Sequence, residues 1–99
     1  MTISVQMMKS PRSGNPVANQ FIIRTDDTYT FQSYDSIIAK VTSDGEVFLD
    51  SVYWDYSRTT SKYRNEFLQM MGQLTCTEPT KQTKRLIKDG QFKLTDLNA

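Results

Sequence analysis

Carboxylates are the commonest groups in this chain that could do chemistry, with Asp26-Asp27 and Asp44/Glu46 the densest clusters. Asp50 and Asp55 together with Lys40 make up the set a metal-dependent nuclease would use, because two-metal chemistry needs acids converging near a lysine. Asp26, Asp27 and Asp44 have a simpler origin in turn formation, where a short carboxylate bonds its own backbone. Histidine is absent, which removes the commonest general acid-base, the usual nucleophilic triads and most catalytic zinc sites. Cys76 is the single cysteine and stands between Thr75 and Thr77. It has neither a basic neighbour to activate it nor a second thiol to share a metal or a disulfide, so it reads as a buried or incidental thiol. The four glycines are scattered and form no phosphate-cradling loop. The expectation is a non-enzymatic protein with no catalytic residue, metal or cofactor.

Two other groupings point to binding. The stretch YWDYSRTTSKYRNEFL, Tyr53 to Leu68, sets aromatic residues beside Arg58, Lys62 and Arg64. Tyrosine and arginine are favoured at interface hot spots, so Tyr53, Tyr56, Arg58, Lys62 and Arg64 are the candidate partner-binding residues. The competing reading makes the same stretch the junction of a sheet and a helix, with Trp54, Tyr63 and Phe67 in the core and Asp55 capping the helix or pairing with Arg58 or Lys62. Further along, Lys81, Lys84, Arg85 and Lys88 recur at i, i+3, i+4, i+7, which would make one helix face basic. Phosphate contacts from such a face, with aromatic residues nearby for stacking, define an alternative nucleic-acid-binding surface.

The bulk numbers fit either use. The chain has 99 residues, 37% hydrophobic and 11% aromatic, which suits one small domain with a modest core rather than a disordered chain. The net charge of +1 hides an asymmetry: residues 1–56 carry four basic and seven acidic side chains, net −3, and residues 57–99 carry eight and four, net +4. No apolar run reaches the roughly 18 residues of a membrane span, and the N-terminal stretch lacks a signal-peptide core. A soluble protein in a reducing cytoplasm is expected.

Periodicity supplies the elements that must position these residues. Residues 1–17 are punctuated by Pro11, Gly14 and Pro16 and read as a flexible arm, within which ISVQM has the pattern of an edge strand. Residues 18–99 read as a single α+β domain. QFIIRT and TYTFQS flank Asp26-Asp27 as a hairpin, Tyr29 and Phe31 sharing a face. SIIAKVT and EVFLDSV flank Ser43-Asp44-Gly45 as a second hairpin. A three-residue loop with Gly45 left-handed would gather Ile37, Ala39, Val41, Val47 and Leu49 on one face, whereas a two-residue loop would place Phe48 there. Alternation is expected to continue through Tyr53 to Tyr56, with Trp54 under the helix. Tyr63, Phe67, Met70, Met71 and Leu74 then follow a helical stripe, with Ser57, Thr59 and Thr60 as competent N-caps and Gly72 near the end. A second helix follows Thr77-Glu78-Pro79 and stops at Asp89-Gly90. QFKLTDL closes as a strand with Phe92 and Leu94 inward. The expected architecture is an antiparallel sheet of four or five strands with one or two helices packed on one face.

The segments FQSYDSIIAKV, D-G-x-V-[FY]-L-D, YWDYSRTTSKYRNEFL and IKDGQFKLTDLN together resemble a family of small uncharacterised proteins found mainly in bacteriophages and mobile elements. The likeness covers about Ala18 to Asn98, and the aromatic block with its T-T-S-K-Y-R-N continuation is its most specific part. MMGQLTCTEPTKQ departs from the family's shorter, charged link between helices. The resemblance carries no catalytic residue across. It implies an early-expressed phage protein of the host bacterial cytoplasm, with a bacterial host or defence protein as the partner it binds and inhibits, or nucleic acid as the alternative. An exposed edge strand in so small a domain also leaves room for a homodimer.

Overall fold

The computed structural model describes residues 3–10, 12–75 and 77–98, so the reading of Cys76 lies outside the described residues. The chain runs β1 (Ser4–Lys9), β2 (Pro16–Arg24), β3 (Thr28–Ser33), β4 (Ser36–Thr42), β5 (Val47–Asp50), α1 (Arg58–Met70), α2 (Pro79–Lys88) and β6 (Phe92–Thr95). The six strands form one sheet in sequence order. β1 to β5 pair antiparallel, and β6 lies parallel to β5 because both helices are inserted as the crossover between them. The fold is α+β, with more strands than expected. The extra strand comes from the segment read as an arm. There Ser10 N–H donates to Asn15 carbonyl at 2.8 Å and Gly14 N–H to Ser10 carbonyl at 2.8 Å, so Ser10, Gly14 and Asn15 belong to a hairpin connection that returns the chain as β2. Among the described residues no helix is long and apolar enough to cross a membrane.

Turn chemistry sets the register. Thr42 N–H donates to Glu46 carbonyl at 3.0 Å around Ser43, Asp44 and Gly45. Gly45 sits at φ 86°, a conformation that costs a side-chain-bearing residue about 1–2 kcal/mol. Ala39 therefore faces Leu49 and Val41 faces Val47, and all four are buried. Ile37 is the exception. Phe31 opposes Ala39 but Gln32 opposes Ile37, so Ile38 is the extra residue of a bulge. The bulge turns Ile38 inward at 1% exposure and leaves Ile37 half-buried.

The core lies between one face of the sheet and α1. Phe31 and Phe67 stack with ring centroids 5.9 Å apart, and Tyr63, Leu68 and Leu74 complete the helix side. The buried positions of α1 are Thr60, Tyr63, Arg64, Phe67 and Leu68. Met70, expected in that stripe, is 56% exposed. At 3.6 residues per turn, Met70 falls roughly a quarter-turn to one side of the line on which Thr60, Tyr63, Arg64, Phe67 and Leu68 are centred. The helix closes at Gly72, with Gln73 N–H on Leu68 carbonyl and Gly72 N–H on Gln69 carbonyl. In β6, Phe92 is buried and Leu94 is 44% exposed, because Leu94 stands on an edge strand that is covered at one end only.

β5 stops earlier than alternation suggests. The Asp50 carboxylate accepts from Val52 N–H at 3.0 Å and Tyr53 N–H at 2.8 Å through one oxygen, and from Leu97 N–H at 2.9 Å through the other. The chain therefore curls out of the sheet into a turn over residues 51–55 instead of extending it. Burial pushes the Asp50 carboxyl up, but the amides of Leu97, Tyr53 and Val52 and the Asn98 side chain outweigh it, holding the group below its ordinary value of 3.8. A lowered carboxylate stabilises the fold fully above the unfolded value and loses that contribution as pH falls through the folded one. Unfolding titrations are expected to show stability declining below about pH 4. Asp50→Asn, which turns an NH₂ toward amide donors, is expected to cost about 2–3 kcal/mol at neutral pH and to flatten that acid decline.

Candidate binding cleft

Two turns meet at one end of the sheet. The first is the two-residue turn Tyr34-Asp35, closed by the pairing of Ser33 with Ser36. Tyr34 has φ 54°, a left-handed conformation that costs an aromatic residue about 1–2 kcal/mol. Its backbone is fastened on both sides: Tyr34 N–H donates to Asn19 carbonyl at 2.7 Å, and Gln32 Nε2 donates to Tyr34 carbonyl at 2.7 Å. The ring is left 58% exposed. The second turn follows Asp50. It holds Tyr53 half-buried against the core and sets Tyr56 edge-on to it, with centroids 5.6 Å apart and planes at 68°.

Between these turns lies an open cleft of about 330 Å³ lined by Tyr34, Asp35, Tyr53, Tyr56, Ser57 and Thr60, among others. Its floor is a run of hydroxyls. Ser57 caps α1, accepting Thr60 N–H at 3.1 Å, and its own hydroxyl donates to Thr60 Oγ1 at 3.0 Å. Thr60 Oγ1 lies 3.3 Å from buried Ser33 Oγ. The arrangement offers aromatic edges, an acceptor-rich floor and one carboxylate, Asp35. It suits recognition of a group with apolar surface and hydrogen-bond donors.

Of the residues singled out in the sequence, Tyr53 and Tyr56 line this cleft. Arg58, exposed in the first turn of α1, and Lys62, exposed one turn on with Nζ 5.4 Å from the Tyr63 ring, do not line it. Arg64 does not belong to the surface: it is 0% exposed. It stands one turn before Phe67 and Leu68 on the inward stripe, and α2 closes over it. Its guanidinium donates to Trp54 carbonyl at 2.6 Å, Asp55 Oδ1 at 3.2 Å and Asn65 Oδ1 at 2.8 Å, and lies 5.1 Å from the Trp54 ring centre. Thr80 Oγ1 of α2 is 3.4 Å from Nη2. Arg64 is an internal tie between the turn and both helices. Trp54 sits half-buried against the core with Arg64 over its face.

Asp55 serves the same tie, accepting from Ser61 as well as Arg64. Burial pushes its carboxyl up, while Ser61, Arg64 and Lys84 pull harder and hold it below the ordinary value. Burial likewise draws Arg64 below its ordinary value, and Asp55 opposes this in part. With Asp50 held by three amides and Asp55 by Arg64, both carboxylates of the nuclease-like set are engaged in structure. Among the described residues no group of three His, Cys, Asp or Glu side chains is placed to hold a metal.

Lys81, Lys84, Arg85 and Lys88 are exposed on α2, opposite buried Thr83 and half-buried Leu86 and Ile87. They form the basic face the spacing implied, and none lines the cleft. Tyr34 and Asp35 escaped the sequence reading, although an aromatic in a two-residue turn between serines was the available signal.

Residues 3–88 match the family of unknown function DUF8033. The chain belongs to that family. The DUF8033 span runs from β1 through α2, so it includes the edge strand, both turns of the cleft and the Arg64 tie. No curated protein and no solved structure matches the chain.

The burial contrast within the aromatic block has a measurable consequence. Arg64→Ala is expected to cost about 2–4 kcal/mol in chemical unfolding, because it strands the Trp54 carbonyl and opens a void between the helices. Tyr56→Ala and Arg58→Ala are expected to stay within about 0.5 kcal/mol of the parent. Equal losses at all three would contradict the division between tie and surface.

Proposed function

We propose that this DUF8033 chain is a non-enzymatic binding module that acts by occluding a bacterial protein, with the cleft between the two tyrosine turns as its contact surface. One observation carries the reading: Tyr34, Tyr53 and Tyr56 converge on a hydroxyl-floored cleft with Tyr34 58% and Tyr56 70% exposed. Exposed tyrosines of restricted geometry provide large contact area at low conformational cost, and such residues dominate binding energy where they cluster. The strained backbone of Tyr34 supports the same reading, since strain of this kind concentrates at functional sites. Arg58, exposed and next in sequence to the cleft residue Ser57, is a further candidate contact. The likeness of the aromatic block to small phage and mobile-element proteins adds the context of a phage product acting in the host cytoplasm on a host or defence protein.

The test is affinity capture from bacterial lysate with nuclease added, read by mass spectrometry, comparing the parent with Tyr34→Ala/Tyr56→Ala. A dominant protein retained by the parent and lost by at least about tenfold with the double variant is the expected result, equivalent to losing one modest hot spot. Equal capture by both, with the variant folded, would remove the cleft from the proposal.

The second reading, nucleic-acid binding, rests on the four exposed cations of α2. It requires affinity for single-stranded or duplex DNA that falls steeply as salt rises, because phosphate contacts release counterions. Binding indifferent to salt, or unchanged in Lys84→Ala/Arg85→Ala/Lys88→Ala, would exclude it.

A further inference from the structure

The sheet has two edges, and they are built differently. β6 is four residues long and carries exposed Lys93. The segment after it is fastened inward by Leu97 on Asp50, and by Asn98, whose side chain accepts from Ile37 N–H at 2.7 Å and donates to Ile37 carbonyl at 3.0 Å. β1 is longer, six residues, and carries its one lysine, exposed Lys9, only at its end. From Ile3 to Met8 it holds no charged residue and no proline, and its irregularity falls only between Met7 and Lys9. Among the described residues no strand pairs with its outer side. Natural proteins blunt such edges, because unpaired amides and carbonyls on a flat apolar strand recruit another strand.

Four of the eight large hydrophobic side chains exposed among the described residues gather at the same place. Ile3 at 61%, Val5 at 60% and Met7 at 42% belong to this edge, and Met70 at 56% overhangs it from the end of α1. Val5 stands beside Ile23 and Met7 beside Phe21, on the face that faces away from the helices. On the other side of the strand, Gln6, Met8, Ile22 and Met70, together with the charged Lys9 and Glu66, line a groove of about 260 Å³.

We propose that β1 pairs with β1 of a second copy of this chain, antiparallel about a two-fold axis, so that two sheets become one. The sequence of the edge selects that occupant. Directly opposed residues of an antiparallel pair must share a face, and a pairing centred on Gln6 satisfies this throughout. It sets Val5 against Met7 of the second copy and Met7 against its Val5. Lys9 falls opposite Ile3 of the second copy, so the two lysines stay apart and no like charges meet. An acidic strand from another protein would find Lys9, at one end of the edge, as its opposite charge on β1. An isologous contact of this kind closes on itself and leaves no further β1 edge exposed. The strand is about 20 Å long, and Met70 of each copy would reach over the other's edge to cover the groove. The pairing uses residues distinct from those of the tyrosine cleft, so either can fail without the other.

Sedimentation equilibrium or light scattering on the whole chain over a roughly thousand-fold concentration range decides the matter. The expected result is a mass rising toward twice 11.4 kDa with concentration. Val5→Lys/Met7→Lys is expected to hold it at 11.4 kDa while keeping the circular dichroism spectrum. If that variant does not fold, hydrogen exchange on the parent substitutes: amides of Ser4 to Met7 should exchange more slowly as concentration rises. A monomer throughout the range, a dimer indifferent to the two lysines, or β1 exchange independent of concentration would each overturn the proposal.

Discussion

A carboxylate buried at 1% exposure must find donors, and Asp50 finds the amides of Val52, Tyr53 and Leu97. Those three bonds decide where β5 ends, how the chain turns toward α1, and where the segment after β6 is held. Tyr53 takes its place because its own amide is one of the three. Tyr56 is set edge-on to Tyr53, and Ser57 caps the helix directly after the turn. The second tie, Arg64, operates one layer further in. It joins the Trp54 carbonyl and Asp55 on the turn to Asn65 on α1 and Thr80 on α2. Two charged side chains thus hold a junction that a core of this size could not fix by apolar contact alone.

What the sequence made legible follows from local chemistry. The Ser43-Asp44-Gly45 loop was readable because only a glycine adopts Gly45's backbone at no cost, and the register of β4 with β5 followed from it. The limits of α2 were readable from Pro79 and Asp89-Gly90. The bulge at Ile38 was not, since adjacent isoleucines are equally apolar and alternation cannot say which one turns inward. Arg64 was read as a contact residue because arginine is favoured at interface hot spots. Its burial depends on a carbonyl and a carboxylate from a turn whose shape is set by Asp50, and no local pattern encodes that. Tyr34 was missed for a related reason: its prominence comes from a left-handed backbone held by Asn19, fifteen positions earlier.

The two candidate binding surfaces differ in what they ask of the fold. The basic face of α2 needs only a formed helix, since its four cations are exposed along one side of it. The tyrosine cleft needs two turns from distant parts of the chain held in fixed relation. The molecule invests structure in the second: a strained residue and a hydroxyl floor lie there, and the Asp50 tie fixes the turn that carries Tyr53. That concentration is why the cleft, rather than the charge pattern, carries the functional reading.

The parallel placement of β6 has a consequence in time as well as in space. β1 to β5 are linked by short hairpins, so each strand can pair with its predecessor as soon as it exists. β6 must wait for both helices, and the Leu97 amide reaches Asp50 across a separation of 47 residues. During synthesis, then, all of β1 to β5 emerges before β6, and the amides of Val52 and Tyr53 become available to Asp50 before that of Leu97. The junction that positions Tyr53 and Tyr56 can take shape locally and is locked only when the far segment docks, which makes vectorial synthesis and final closure separate events in the life of this chain.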